Sequence, residues 1–327
     1  MKAFVYRNTK SDIPGWASVH EKQPRGMAYE TDRLFVHIYG AAEGLWTISN
    51  GLTVTKQKDG ELSEWVTQVF GAENIEQSEH DVGITVEGVW RPGLYYDKDM
   101  LQALAETDAD LRISEQSLLL LIERLDELLL FVEPTPRSLG TYSHKARELL
   151  ILACTEAEAQ WRRYLQRAGL VSLKKGFTMN DYVRLRGPLR LEEYEVTMPR
   201  YDNIPPARPF SQWSAAPPGP TQTLSWYDAY NKTKHDKKSQ FSAATVTSCI
   251  KAIAANIVLF CVRFGPYRLY QGGGMLSAMF NPMFAVALRG CDPKSFYIPE
   301  VDIARRTDTL TWGHAEVLPW KPTPFKL

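Results

Sequence analysis

The segment from Ala243 to Phe264 constrains the fold of this chain most strongly, because it is apolar on most sides at helical spacing. Its apolar residues recur every three or four positions and then extend around the helix: Val246, Ile250, Ile253, Ala254, Ile257, Val258, Phe260 and Cys261. A helix that is apolar on most sides is normally buried. We therefore expect this helix at the centre of a helical bundle, ending at Gly265-Pro266.

The same segment is a poor candidate for a membrane span. A span needs about 20 apolar residues with few charges, whereas the apolar stretch 252–262 is bounded by Lys251 and Arg263. A second apolar stretch, 117–132, is interrupted by four charged residues, Glu123, Arg124, Asp126 and Glu127. The sequence therefore predicts no membrane partner.

The overall charge and the cysteines narrow the class of protein. Lys plus Arg and Asp plus Glu each number 38, so the net charge is zero. This balance argues against a uniformly basic surface that would bind nucleic acid or membranes.

The N-terminus lacks the apolar core of a signal peptide. No two of the four cysteines form a C-x-x-C pair: Cys154, Cys249, Cys261 and Cys291. We expect buried thiols, a cytoplasmic location, and no metal or cofactor.

Two further helices precede the apolar one. Thr107 to Asp110 resembles a capping box, and the apolar positions that follow, Leu125 and Leu128 among them, repeat at helical spacing. A second helix is predicted from Ser143 to Arg167, with Gly169 as its C-cap. Residues 106–267 are therefore predicted to form one helical bundle, in which the proline-rich segment 199–220 is a surface-exposed insertion.

The first 105 residues have a different pattern. Leu34–Tyr39, Leu45–Ile48 and Ile84–Trp90 are rich in β-branched and aromatic residues, which is typical of strands. Asn50-Gly51 predicts a hairpin, because this pair readily adopts a type I′ turn. With an irregular, partly β segment at 268–327, the predicted fold class is α+β: a small β-rich N-terminal domain and a helical bundle.

The best candidate site is a polar helix that contains Asn231 and His235. These residues are four apart, so they share one helix face, and Tyr227 lies one turn earlier on it. Four lysines surround them: Lys232, Lys234, Lys237 and Lys238. Nearby positive charge disfavours the imidazolium form, so a neutral His235 could act as a base. The alternative is an ordinary solvated helix whose polar groups bond only to neighbouring helices.

The helix pair YSHKARELLILACTEAEAQWRRYLQRAG (142–169) and WYDAYNKTKHDKKSQFSAATVTSCIKAIAANIVLF (226–260) resembles the HEPN superfamily. The resemblance covers about residues 110–265, and Asn231…His235 followed by the apolar helix is its most specific part. It implies a helical bundle that dimerises with its polar helices facing the partner, and a link to RNA or nucleotides. Bacterial members often act in toxin–antitoxin or phage-defence systems.

In ribonucleases of the family an Arg precedes the Asn, and a carboxylate of the preceding helix faces the His. Here Tyr230 occupies the Arg position, and Glu148 and Glu156 are the candidate carboxylates. The resemblance thus implies a catalytic set of His235, Asn231 and Glu156. The implied phosphate- or RNA-binding set is Lys232, Lys234, Lys238, Tyr227 and Arg162.

Three functions remain open from the sequence. The first is a HEPN-like module that binds RNA or nucleotides, which the missing Arg favours. The second is a metal-independent endoribonuclease that uses His235. The third is a structural protein-interaction module with the segment 199–220 as its docking arm.

Overall fold

The computed structural model describes residues 1–95, 97–172, 176–235, 237–302 and 316–327, without the side chains of Asp97, His235 and Lys237. Two compact units divide the chain. The sheet unit comprises Met1–Ala105 and Gly290–Thr323, and the helical unit comprises Glu106–Arg289 and Pro324–Leu327. The predicted C-terminal segment 268–327 is therefore shared between the two units.

The sheet unit is built on five antiparallel strands, in the order β4-β3-β2-β1-β5. The strands are β1 (Ala3–Arg7), β2 (Arg25–Glu30), β3 (Leu34–Gly40), β4 (Ile48–Gln57) and β5 (Glu73–Gln77). Its short helices are α1 (Val19–Lys22), α2 (Leu62–Phe70) and α3 (Asp97–Ala103). A separate parallel pair joins β6 (Ile84–Val86) to β9 (Lys321–Thr323).

Both faces of the five-stranded sheet are covered. On one face α2 places Trp65, Val66 and Phe70 over Phe35 and Tyr39. On the other face, Phe296 and Ile298 from the C-terminal part of the chain pack on the sheet. Two covered faces explain why all seven residues of β3 are buried, since a strand that is buried on both faces is apolar without alternation.

The hairpin predicted at Asn50-Gly51 is wrong. Both residues lie inside β4, where Ile38 pairs with Thr53 and Tyr39 with Ser49, so residues 50–52 form a bulge. The chain reverses earlier, over 41–47, where the Ala41 amide donates to the Thr47 carbonyl over 2.7 Å. Asn-Gly favours a turn only locally, and the long pairing of β4 with β3 outweighs that preference.

The helical unit contains the three long helices that the sequence predicts, and with the five-stranded sheet they confirm the α+β class. They are α4 (Asp108–Leu129), α5 (His144–Arg167) and α9 (Val246–Phe264). The predicted cap of α4 is confirmed, because the Thr107 hydroxyl accepts from the Asp110 amide. The Ser143 hydroxyl accepts from the Ala146 amide at the start of α5. The predicted core residues Leu128 and Ile253 are 4% and 0% exposed.

The central helix α9 is long and apolar enough to cross a membrane by length and composition, but 89% of that stretch is buried inside the protein. It packs against α4 and α5. The Asn256 amide of α9 donates to the Ala153 carbonyl of α5 over 2.9 Å. The protein itself therefore covers most of this apolar helix.

A buried ion cluster, here called the Arg263 cluster, ties the same three helices together. Arg263, 4% exposed, lies 2.5 Å from Glu106 Oε2 and 3.2 Å from Asp110 Oδ1. Arg167 of α5 pairs with the second oxygen of Glu106 over 2.5 Å, and Arg163 pairs with Asp110. Each buried charge of the Arg263 cluster therefore has an opposite charge within ion-pair distance.

The remaining helices of this unit are α6 (Met179–Tyr182), α7 (Ser225–His235), α8 (Lys237–Gln240), α10 (Tyr267–Tyr270) and α11 (Met275–Met283). A short antiparallel pair joins β7 (Tyr194–Thr197) to β8 (Ala285–Leu288). The sequence predicted loops and strands where α10 and α11 lie. Both helices are short, and Pro282 within α11 obscures the helical pattern.

Most of the proline-rich segment 199–220 is exposed, as the sequence predicts, but two aromatic residues within it are buried. Phe210 and Trp213 are fully buried, and the Trp213 ring stacks on Trp161 of α5 with centroids 4.9 Å apart. The Trp226 indole also donates to the Pro209 carbonyl over 3.1 Å. The aromatic residues between the prolines anchor the segment, because burying rings of this size contributes strongly to stability.

Candidate functional site

The α7 helix presents one polar face, formed by Tyr227, Tyr230, Asn231 and Lys234 and here called the α7 polar face. These residues are three or four apart, so they follow one another along one side of the helix. The two tyrosines are buried, Asn231 is half-buried and Lys234 is exposed. α7 packs against α5 and α9, so these neighbours decide which polar groups meet the face. The His235 side chain, the predicted catalytic base, lies outside the described residues.

A carboxylate of α5 does reach the α7 polar face, and it is that of Glu158. The Tyr227 hydroxyl donates to Glu158 Oε1 over 2.6 Å. Burial, followed by this hydrogen bond, raises the pKa of Tyr227 well above its ordinary value. The phenol therefore stays protonated and acts as a fixed donor to the carboxylate.

Glu156, the carboxylate predicted to face His235, is placed elsewhere. Its Oε1 accepts from Gln160 of its own helix over 3.1 Å. Positions 156 and 158 are separated by about 200° around an α-helix, so the contact of Glu158 with α7 directs Glu156 towards another side of α5. The structure does not bring Glu156 to the α7 polar face.

Lys234 is held over the ring of Tyr230. Its Nζ donates to the Tyr230 hydroxyl over 2.9 Å and lies 5.1 Å from the ring centroid. This hydrogen bond raises the pKa of Lys234 above its ordinary value. Within the described part of the chain no carboxylate forms an ion pair with Lys234, and the charge of Glu158 acts on it only from a distance.

The other predicted phosphate-binding cations are arranged differently. Lys232 forms an ion pair of 2.6 Å with Asp228, one turn earlier on α7. Arg162 of α5 is exposed and hydrogen-bonds the Tyr182 hydroxyl. Lys238 is exposed on α8. Lys234 thus combines a fixed position with a charge that no described carboxylate pairs with.

Arg147 of α5 is a site residue that the sequence reasoning missed. Its Nη2 and Nε donate to the Thr233 carbonyl over 3.1 and 3.4 Å. A cation at the C-terminal end of a helix is favourable, because the last carbonyls lack partners there and carry partial negative charge. Arg147 therefore fixes the end of α7 that carries Lys234 and His235. The sequence could have indicated this role, because Arg147 lies on the polar side of the predicted α5 helix.

An aromatic cluster supports the α7 polar face from within. Trp226 is 1% exposed and Trp161 of α5 is fully buried. Tyr227 lies 5.6 Å from Trp161 and 5.3 Å from Tyr230 between ring centroids. Packed rings of this kind restrict the side-chain angles of the tyrosines, so the polar atoms of the face have defined positions.

Among the described residues, no group of three or more His, Cys, Asp and Glu side chains could hold a metal ion. Comparison of the chain with protein-family models, with curated proteins and with solved structures found no match. The assignment of function therefore depends on the residues of the site.

Proposed function

We propose that the protein is a HEPN-like module that binds RNA or a nucleotide through the α7 polar face. The observation that carries this proposal is the position of Lys234. A cation with a raised pKa, a fixed position and no described ion pair suits an anionic ligand such as a phosphate group. The amide of Asn231, one turn earlier, adds donors and an acceptor on the same side of the helix.

The neighbouring cations extend the proposed surface. Lys238 of α8 and Arg162 of α5 are exposed, and each can contact a phosphate of an extended strand. Because the whole chain has no net charge, the attraction would be local to this surface. The toxin–antitoxin or phage-defence setting that the family resemblance implies remains part of what we propose.

Cleavage by His235 is the second candidate function. The Lys234 ammonium lies against the hydroxyl of Tyr230, which stands where ribonucleases of the family carry Arg, so a cation is available beside that position. An ammonium group is a point charge, however, and lacks the planar fork with which Arg holds two phosphate oxygens. We therefore place binding before cleavage.

Binding of a labelled single-stranded RNA at several salt concentrations tests the first function. Three or four phosphate contacts predict a log–log salt slope of about −2 to −3, from roughly 0.7 per phosphate. Lys234→Ala should weaken binding to all sequences alike and reduce the slope by somewhat under one unit. Lys58→Ala, in the sheet unit and paired with Glu30, makes the same change in net charge and should leave the slope unaltered.

The same assay separates binding from cleavage. If the protein is a ribonuclease, His235→Ala should reduce cleavage by roughly 10²-fold or more with little change in affinity. If it is a binding module, the wild type should cut no RNA. A wild type that neither binds nor cuts RNA at low salt would refute RNA binding and RNA cleavage and would favour a protein-interaction module.

A homodimer formed by the helical unit and a cytoplasmic location belong to this proposal. Three thiols, Cys154, Cys249 and Cys261, are buried, as in proteins of reducing compartments. Sedimentation of the full chain tests the dimer. A monomer at high micromolar concentration would contradict it, and would count against a ribonuclease site shared between protomers.

A further inference from the structure

A cleft in the sheet unit, here called the Arg25 cleft, lies at the edge of the five-stranded sheet and is separate from the α7 polar face. Its volume is about 330 Å³, and its walls include Val5, Arg25 and Ala42. Pockets for small molecules have volumes of roughly 300–1,000 Å³, so the cleft has room for a small organic ligand.

Irregular pairing of β5 accompanies this cleft. The register between β1 and β5 shifts between Val5 and Arg7, and Asn74 of β5 has a left-handed φ of 54°. Asn74 and Glu76 both line the cleft. A bulge bends the edge strand and redirects its side chains, which is consistent with an opening at this edge.

Arg25, at the start of β2, holds a fixed positive charge in the cleft wall. Its Nε and Nη2 donate to the carbonyls of Ala41 and Ala42 over 3.3 and 2.5 Å. The guanidinium carbon lies 5.5 Å from the centroid of the Phe296 ring. Two hydrogen bonds and a ring thus hold the group in place before any ligand arrives.

The charge of Arg25 has no ion-pair partner among the described residues. Burial lowers the pKa of Arg25, while Cys291 and the carboxylates of Asp292 and Glu43 oppose that change from a distance. The guanidinium stays charged, since Arg is effectively always protonated. A half-buried cation that is held in place without a direct counter-ion favours an anionic ligand.

Two more cations border the cleft. Arg7 is 69% exposed and only loosely paired, 4.0 Å from Glu73. Lys294 pairs with Glu76 over 3.2 Å. The apolar part of the wall is formed by Val5, Pro24 and Pro293. The cleft therefore combines a guanidinium that has no direct counter-ion among the described residues with a surface that suits a hydrocarbon or aromatic group.

We propose that the Arg25 cleft binds a small organic anion, in which a carboxylate or a phosphate meets the Arg25 guanidinium and an apolar part covers Val5, Pro24 and Pro293. This site is independent of the RNA- or nucleotide-binding function proposed for α7.

Calorimetric titration of the full chain with benzoate, phenyl phosphate and inorganic phosphate tests the site. Benzoate and phenyl phosphate distinguish a carboxylate from a phosphate ester, and inorganic phosphate lacks the apolar part. We expect saturable binding of benzoate or phenyl phosphate at least tenfold tighter than that of inorganic phosphate. If neither organic anion shows saturable binding up to about 10 mM, the proposal is wrong.

Variants locate the binding. Arg25→Gln should weaken the tighter organic anion at least tenfold, whereas Arg33→Gln, which removes an exposed cation of the β2–β3 turn, should change its affinity less than twofold. Equal affinities of the two variants would overturn the proposal.

A second variant guards against loss of folding in Arg25→Gln. Ala42→Leu fills the cleft from its exposed rim and keeps both the Arg25 charge and the carbonyl at position 42. It should also weaken binding at least tenfold, with an unchanged circular dichroism spectrum. Unaltered affinity in a folded Ala42→Leu protein would show that the ligand binds elsewhere.

Discussion

The Arg263 cluster and the α7 polar face both place positive charge in the helical unit, but they differ in exposure and pairing. Arg263 is 4% exposed and lies within 2.5 Å of Glu106. Lys234 is exposed, and its described partner is the neutral hydroxyl of Tyr230. Since a buried charge without a partner is very unfavourable, the first arrangement compensates the charges that folding buries. The second leaves a charge available to a ligand.

The Arg263 cluster should show the largest effect on stability. Arg263→Ala leaves the Glu106 carboxylate buried beside Arg167 alone, and we expect a loss of about 3–5 kcal/mol in the free energy of unfolding. Denaturant titration of the full chain measures it. Arg124→Ala, which breaks an exposed pair with Glu127 of 2.9 Å, is the matched control and should cost at most about 1 kcal/mol. If Arg263→Ala and Arg124→Ala lost the same free energy of unfolding, burial would not explain a difference between the Arg263 cluster and an exposed ion pair.

The effect of Arg263→Ala on the free energy of unfolding can be compared with that of removing an apolar side chain from the same helix, α9. Ile253→Ala removes a fully buried side chain of α9, and Leu128→Ala does the same at the end of α4. We expect each to lower the free energy of unfolding by about 2–4 kcal/mol. Leu120→Ala, at a position 40% exposed, should have a much smaller effect. Unchanged denaturation midpoints for Ile253→Ala and Leu128→Ala would exclude a common bundle core.

His37 of the sheet unit tests the same principle for a group that is buried in its neutral form. It is fully buried, its Nδ1 lies 2.6 Å from the Tyr6 hydroxyl, and its ring stacks on Phe70. Burial lowers its pKa well below the ordinary value of 6.5. The unfolded chain therefore binds the proton first as the pH falls.

Stability from His37 should be complete above about pH 6.5 and should decrease as the pH falls towards the lower folded-state pKa. The expected slope is at most about 1.4 kcal/mol per pH unit. Unfolding measured between about pH 5 and 7.5 should show this slope in the wild type and a smaller one in His37→Phe. An identical slope in both proteins would contradict the prediction.

Tyr227→Phe tests how firmly the α7 polar face is held. It removes the hydroxyl that donates to Glu158 and leaves the ring packing, so we expect a loss of about 1 kcal/mol. RNA affinity should fall as well, because Glu158 would no longer be engaged by the phenol and could compete for Lys234. If Tyr227→Phe changed neither the free energy of unfolding nor the RNA affinity, Tyr227 would not be part of the site.

The smallest effect is expected for Lys232. Its pair with Asp228 lies on the helix surface, with the lysine side chain 50% exposed, and such pairs contribute about 0.3–0.5 kcal/mol. Lys232→Ala should therefore change thermal stability only slightly. A loss above about 1 kcal/mol would mean that α7 depends on this pair, and the contrast with the Arg263 cluster would weaken.

The long helices were predictable because local interactions determine them. The hydroxyls of Thr107 and Ser143 cap residues three positions away, and the apolar spacing of α9 is visible in about 20 consecutive residues. The bulge at Asn50-Gly51 and the burial of Trp213 were not predictable in this way, because they depend on pairing and packing with distant parts of the chain.

For the candidate site, the sequence by itself determined that Tyr227, Asn231 and Lys234 share one face of α7, because three and four are the spacings of a helix. Only the tertiary structure decided that Glu158, and not Glu156, meets that face, since the choice depends on the rotation of α5 against α7. It also decided the contact between Arg147 and the Thr233 carbonyl, 86 residues apart. Packing between helices sets these contacts, and no periodicity within one helix encodes them.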